Sequence, residues 1–173
     1  KLVYFLGQGR AEGTAAMKDI LGGKGAGLAE MTTIGIPVPP GFTIASTMCL
    51  PYLENRTFPP RLQHQVEDAL QRIEAATGKS FGSADDPLLV SVRSGAAVSM
   101  PGMMETILNL GLNETTVAGV VRQTGNARFA WDSYRRFVQM YGAVVFDLPK
   151  AAFDHLLEVK KAARKVERDI DLP

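Results

Sequence analysis

Apolar residues fall mostly in short clusters through the first hundred positions, apart from one stripe of helical period at 60–77, and in long stripes of helical period after them. The run Leu2-Val3-Tyr4-Phe5 precedes a polar, glycine-rich Gly7-Gln8-Gly9-Arg10, which predicts a short opening strand and a turn. After Gly22-Gly23-Lys24-Gly25-Ala26-Gly27, Leu28 and Met31 stand three apart, predicting a short helix that starts inside the glycine run and buries both. Gly35-Ile36-Pro37-Val38-Pro39-Pro40-Gly41 excludes helix, and 42–44 reads as a second brief strand. Over 60–77, Leu62, Val66, Ala69, Leu70, Ile73 and Ala76 recur at helical spacing, with Gly78 placed to stop the helix. The β-branched stretch 87–95 predicts a strand, central in its sheet, and 107–110 predicts another after a loop over 100–105. Helices are predicted over 113–123, 127–141 and 150–169. In the middle one Ala130, Tyr134, Phe137, Val138 and Tyr141 share an apolar face, and Asp132 and Arg136, four apart, can pair. The expected class is therefore α+β: a mixed portion, 1–112, with a boundary near Leu112, then a helical subdomain, 113–173.

Composition narrows the function classes. With 46% hydrophobic and 21% charged residues in 173, the chain has the balance of a globular protein able to bury a core. The formal net charge is only +1 and no basic block interrupts it, which argues against nucleic-acid or anionic-membrane binding. No apolar run approaches the ~18 residues a membrane span needs, and the opening run is too short for a signal peptide. Cys49 is the single cysteine, so an intramolecular disulfide is excluded and a reducing cytoplasm is expected. Its neighbours Met48, Leu50 and Pro51 suggest a buried or half-buried structural thiol.

Three segments could carry chemistry. Glycines let backbone N–H groups approach an anion, a following helix adds its positive end, and Lys24 adds a mobile charge for phosphate oxygens. The spacing fits neither a Walker loop nor G-x-G-x-x-G, so a plain glycine-rich turn stands beside the phosphate reading. Arg93 lies in an otherwise apolar strand, where a guanidinium needs an anion or a carboxylate; a bound phosphate and an internal salt bridge both satisfy it. In Ser99-Met100-Pro101-Gly102-Met103-Met104-Glu105-Thr106, Pro-Gly signals a type II turn that can turn successive N–H groups towards an anion. Three methionines in that loop equally suit core padding. His64 and His155 sit in no metal-spaced motif and read as surface or helix-edge residues, and Asp85-Asp86-Pro87 reads as a turn before a strand.

Taken together, GGKGAGLAEM, GIPVPPGFTI, PLLVSVRSGAAVSMPGMMETILNLGLN and TGNARFAWDSYRRFVQMYG strongly resemble the pyruvate phosphate dikinase family, over nearly the whole chain and least at 1–16 and 53–71. The resemblance implies an ATP-grasp nucleotide-binding domain, with Lys24 and Arg93 contacting the triphosphate and the loop Gly102, Met103, Met104, Glu105 and Thr106 covering the phosphates. It also implies that ATP donates its β-phosphoryl group to a histidine on a swivelling phosphohistidine domain, with AMP leaving. A barrel domain then interconverts pyruvate and phosphoenolpyruvate. Neither His64 nor His155 matches the carrier motif. In the family the Mg²⁺-binding carboxylates lie beyond the part that corresponds to this chain, so no metal ligand is expected here and the chain alone is expected to be inactive. The rival expectation is a non-catalytic module that retains part of the ATP-grasp fold to bind a nucleotide or a partner protein.

Overall fold

A computed structural model describes residues 1–95 and 105–172 and shows an α+β chain in two units. The first consists of residues 1–81 and the segment that begins at Arg93; the second consists of 82–92 and the segment that begins at Glu105. The boundary expected near Leu112 therefore falls inside the second unit. The cause is packing: Leu89 and Leu112 share one hydrophobic core with Val117, Val120 and Ala130, so the polypeptide on both sides of Leu112 is buried together.

The first unit is built on a small antiparallel sheet in the order β2 (Arg10–Ala11), β1 (Val3–Gly7), β3 (Gly41–Ile44). The polar Gly7-to-Arg10 stretch makes the turn between β1 and β2, whose Leu6 pairs with Ala11. Phe5 lies opposite Phe42 and Tyr4 opposite Thr43, so alternate residues face opposite sides of the sheet. On one side lies helix α3 (Pro60–Thr77), where Leu62 and Ala69 bury against Val3, with Phe42 and Val66 packed beside them. This helix runs over its expected span, with Pro60 in its first turn and Gly78 ending it at φ 69°. On the other side lies helix α1 (Lys18–Thr33), whose Gly25 sits directly against Thr43.

Helix α1 departs from expectation in two ways. It begins at Lys18, before the glycine run, and it is broken at Gly22, which has φ 68° and ψ 169°. Its buried face is Leu21, Gly22, Gly25, Ala26, Ala29 and Thr32, whereas Leu28 is only half-buried and Met31 is exposed. Small residues win the sheet-facing positions because the backbones approach too closely to admit larger ones. A 3-10 turn at Ser46–Met48 and helix α2 (Cys49–Asn55) follow β3 and were not anticipated. Cys49 is exposed, contrary to expectation, because Met48 and not Cys49 turns towards the α3 core.

In the second unit β4 (Val90–Arg93, all but its last residue) pairs with β5 (Thr106–Leu110); α5 (Ala127–Phe146) packs on β5, and α4 (Thr116–Thr124) and α6 (Lys150–Arg164) pack on α5. Among the described residues β4 has no other partner, so it is not the central strand expected, and Ser91, Val92 and Arg93 are exposed. Asn126 caps α5 by accepting the Phe129 N–H at 2.9 Å. Asp132 accepts from Arg136 as expected (2.8 Å) and also from Arg135 (2.7 Å). The acidic turn before β4 is tied to α4, Asp85 to Arg122 (2.8 Å) and Asp86 to Gln123 (2.5 Å).

Candidate functional site

The break at Gly22 gives α1 two helical stretches. The φ/ψ pair it adopts lies in a region essentially confined to glycine, because any β-carbon there meets the backbone. The stretch after the break therefore has its own N-terminus, whose first-turn amides lack partners within the helix. Three residues on, Gly25 brings the restarted helix onto β3. A β-carbon built on it would lie 2.9 Å from both Cγ2 and Oγ1 of Thr43 and 3.1 Å from Cβ of Leu21.

Between these two glycines stands Lys24. It is exposed, and its Nζ donates a 3.0 Å hydrogen bond to the backbone carbonyl of Ser94, the residue after Arg93. The adjoining Gly95 runs beside the break: a β-carbon on it would come within 3.7 Å of the Leu21 carbonyl oxygen and 3.9 Å of the Gly22 Cα. Two segments seventy residues apart thus meet, one carrying an ammonium and the other leaving a strand whose last residue is Arg93. An ammonium has three N–H donors; the Ser94 carbonyl takes one, and among the described residues no other acceptor is bonded to it, which leaves donors for an anion.

The surroundings of Arg93 differ from the expectation. The desolvation argument fails because its strand is largely exposed, but so does the salt-bridge explanation: among the described residues no carboxylate pairs with Arg93. Glu105 is exposed and Thr106 half-buried at the start of β5, both in the second unit. Gly102, Met103 and Met104 lie outside the described residues. Among the described residues no three His, Cys, Asp or Glu side chains converge as metal ligands. His64 and His155 are both exposed.

Two other concavities compare poorly as phosphate sites. A cleft of about 290 Å³ between β1 and α3 includes Lys1, Glu12, Arg61, Gln65 and Arg72 in its wall, but its central carboxylate is already satisfied. Glu12 accepts from the Phe5 N–H (2.7 Å), Arg72 (2.9 Å) and Lys1 (2.9 Å). Burial opposes its ionisation, yet these donors outweigh burial and hold its pKa at about 2. The second unit carries a groove of about 280 Å³ lined by Tyr134, Phe137, Tyr141, Phe146 and Phe153 among other apolar residues, with no charge to meet a polyphosphate.

The glycine run, Lys24 and Arg93 were legible as candidates from residue type. Missed were Ser94, which acts through a carbonyl that every residue possesses, and Thr43, whose partner is set only by the sheet. The Gly22-Gly23 pair was the one available sign of a helix break.

Residues 18–58 and 51–136 match the family model described as pyruvate phosphate dikinase, AMP/ATP-binding domain. Among curated relatives, the pyruvate, phosphate dikinase of Rhizobium meliloti is 53% identical over 173 residues, covering 99% of this chain and 19% of its own length. That of Clostridium symbiosum is 51% identical over 162 residues, covering 93% of this chain and 18% of its own. Pyruvate, phosphate dikinase 2 of Zea mays is 52% identical over 171 residues, covering 98% and 19%. The chain spans about a fifth of the length of the relatives it matches.

Proposed function

This chain belongs to the pyruvate phosphate dikinase AMP/ATP-binding domain family, and from that premise we propose that it holds the polyphosphate of ATP as the first part of an ATP-grasp domain. The observation that carries the reading is the 3.0 Å bond from Lys24 to Ser94, which links the glycine turn to the end of the Arg93 strand. An exposed ammonium and, one residue before its Ser94 acceptor, a guanidinium that meets no carboxylate among the described residues form a cationic pair suited to phosphate oxygens. The amides after Gly22 add partial positive charge from the restarted helix. Lys24 acts as a point charge, and Arg93 supplies the planar fork that fixes phosphate orientation. The loop Gly102, Met103, Met104, Glu105 and Thr106 is proposed to cover the phosphates.

In the complete protein the proposed reaction takes ATP, pyruvate and phosphate to AMP, phosphoenolpyruvate and pyrophosphate. This chain's part is binding and charge neutralisation, which dominate phosphoryl transfer. A phosphohistidine domain and a pyruvate-binding barrel are the proposed partners, and Mg²⁺ accompanying ATP is assigned to ligands outside the described residues. Among the described residues no helix is long and apolar enough to cross a membrane, and the exposed thiol of Cys49 suits a reducing compartment such as the cytoplasm.

The test is calorimetric titration of the chain with ATP. Losing one charge-assisted contact costs about 1.5–3 kcal/mol, so Lys24→Ala is expected to weaken binding by about tenfold or more. Its unfolding temperature should be kept, because the side chain is exposed. Equal ATP affinity in Lys24→Ala and the unsubstituted chain would remove Lys24 from the site and the reading with it.

A further inference from the structure

We propose that Gly22 is a positioning residue: its glycine-only backbone lets the two sides of the α1 break grip Ser94 and Gly95 together, and so aims Lys24. The inference rests on the ATP-binding reading above and deepens it. On the near side of the break, the Leu21 carbonyl and Gly22 Cα lie against Gly95; on the far side, Lys24 Nζ reaches the Ser94 carbonyl at 3.0 Å. In an unbroken helix the Leu21 carbonyl would accept the Gly25 amide and be enclosed by the next turn. The near side would then lose its position beside Gly95, and the adjoining Ser94 carbonyl would be drawn away from Lys24 Nζ. Gly25 holds the far side close on β3, where even an added β-carbon would meet Thr43 at 2.9 Å. With the far stretch fixed on β3, the φ 68°, ψ 169° backbone of Gly22 is what lets the near side reach the same two residues. A side chain at position 22 disfavours that conformation and favours continuous helix.

Local helix stability and site geometry therefore make opposite demands on this residue. Alanine is the better helix former, so replacement favours continuous helix where a β-carbon has room, as at Gly27, whereas at Gly22 it opposes the break. A positioning glycine would not be improved for function.

The experiment titrates ATP into the unsubstituted chain, Gly22→Ala, Gly27→Ala, Lys24→Ala and the Gly22→Ala/Lys24→Ala double variant, with thermal unfolding of each. Gly27 is the control, since an added β-carbon there meets nothing within 4 Å. Gly22→Ala should lose ATP affinity by about as much as Lys24→Ala, roughly tenfold or more, while Gly27→Ala binds as the unsubstituted chain does. The double variant should bind no more weakly than Lys24→Ala alone, because Gly22 acts through Lys24.

Should Gly22→Ala fail to fold, the same grip is tested from its exposed side. Gly95→Ala makes only ordinary contact with Leu21 and is expected to be neutral. Gly95→Val should push the two segments apart and weaken ATP binding, an effect that disappears in the Lys24→Ala background. The inference is overturned if Gly22→Ala, or in its place Gly95→Val, binds ATP normally, or if its loss adds to that of Lys24→Ala. Absence of any Lys24→Ala effect would instead overturn the ATP-binding reading itself, so the two failures are distinguishable.

Discussion

An alanine at position 25 should destabilise this protein although it lies in a helix, and the sign should reverse when Thr43 is shortened. Glycine to alanine in a helix interior ordinarily stabilises by about 1 kcal/mol. Here the new β-carbon would stand 2.9 Å from both Thr43 Cγ2 and Oγ1, against the ~3.5–4.0 Å at which carbon contacts are comfortable. Thr43 belongs to β3, held in register by Tyr4 on β1, so it cannot retreat without disturbing the sheet. Overpacking of this kind costs about 1–3 kcal/mol. Subtracting the helix gain leaves a net loss of about 0–2 kcal/mol for Gly25→Ala. In a Thr43→Ala background both crowding atoms are gone. The 3.1 Å approach to Leu21 Cβ persists and trims the gain, leaving a stabilisation of up to about 0.5–1 kcal/mol. Urea unfolding of the four proteins of this cycle, with equal slopes, gives the coupling directly. If Gly25→Ala shifts stability in the same direction and by the same amount in both backgrounds, the close approach of α1 to β3 is not what requires glycine.

Two further outcomes follow from the same geometry. Glu12 has a folded-state pKa of about 2, below the 4.5 it has when unperturbed, so its contribution is present above about pH 4.5 and is lost as pH falls towards 2. Glu12→Gln should therefore be less stable at pH 7, by about 1 kcal/mol after solvent screening. Denaturant midpoints of the two proteins should converge on acidification, and a gap that widens would show that Glu12 is not held ionised by Phe5, Lys1 and Arg72. Arg93→Lys keeps the charge but loses the fork, so ATP affinity should fall several-fold, while Arg93→Met should leave thermal unfolding nearly unchanged because the side chain is exposed. Lower thermal stability in Arg93→Met together with undiminished ATP binding would make the residue structural.

Much of this chain was readable from residue order. The helix at 60–77 carries its own apolar stripe, a proline that tolerates the first turn and a glycine that stops the last, all local properties. The α5 stripe from Ala130 to Tyr141 and its Asp132–Arg136 pair are local in the same sense. Lys24 and Arg93 were visible because charge inside a glycine run or an apolar strand is unusual whatever surrounds it. Burial was not readable, because it depends on partners that periodicity does not name. The stretch 87–95 reads as a central strand, yet Leu88 is buried while Val92 is 46% exposed, since only β5 pairs with β4 among the described residues. Leu28 and Met31 lost the sheet face to Gly25, Ala26 and Ala29, because the separation of α1 from β3 decides which side chains fit. Cys49 looked enclosed by apolar neighbours in sequence but points outward from α2. The meeting of Lys24 with Ser94 belongs wholly to tertiary structure: its acceptor is a backbone carbonyl, the same chemical group at every position, and only the fold selects which one an ammonium seventy residues away will find.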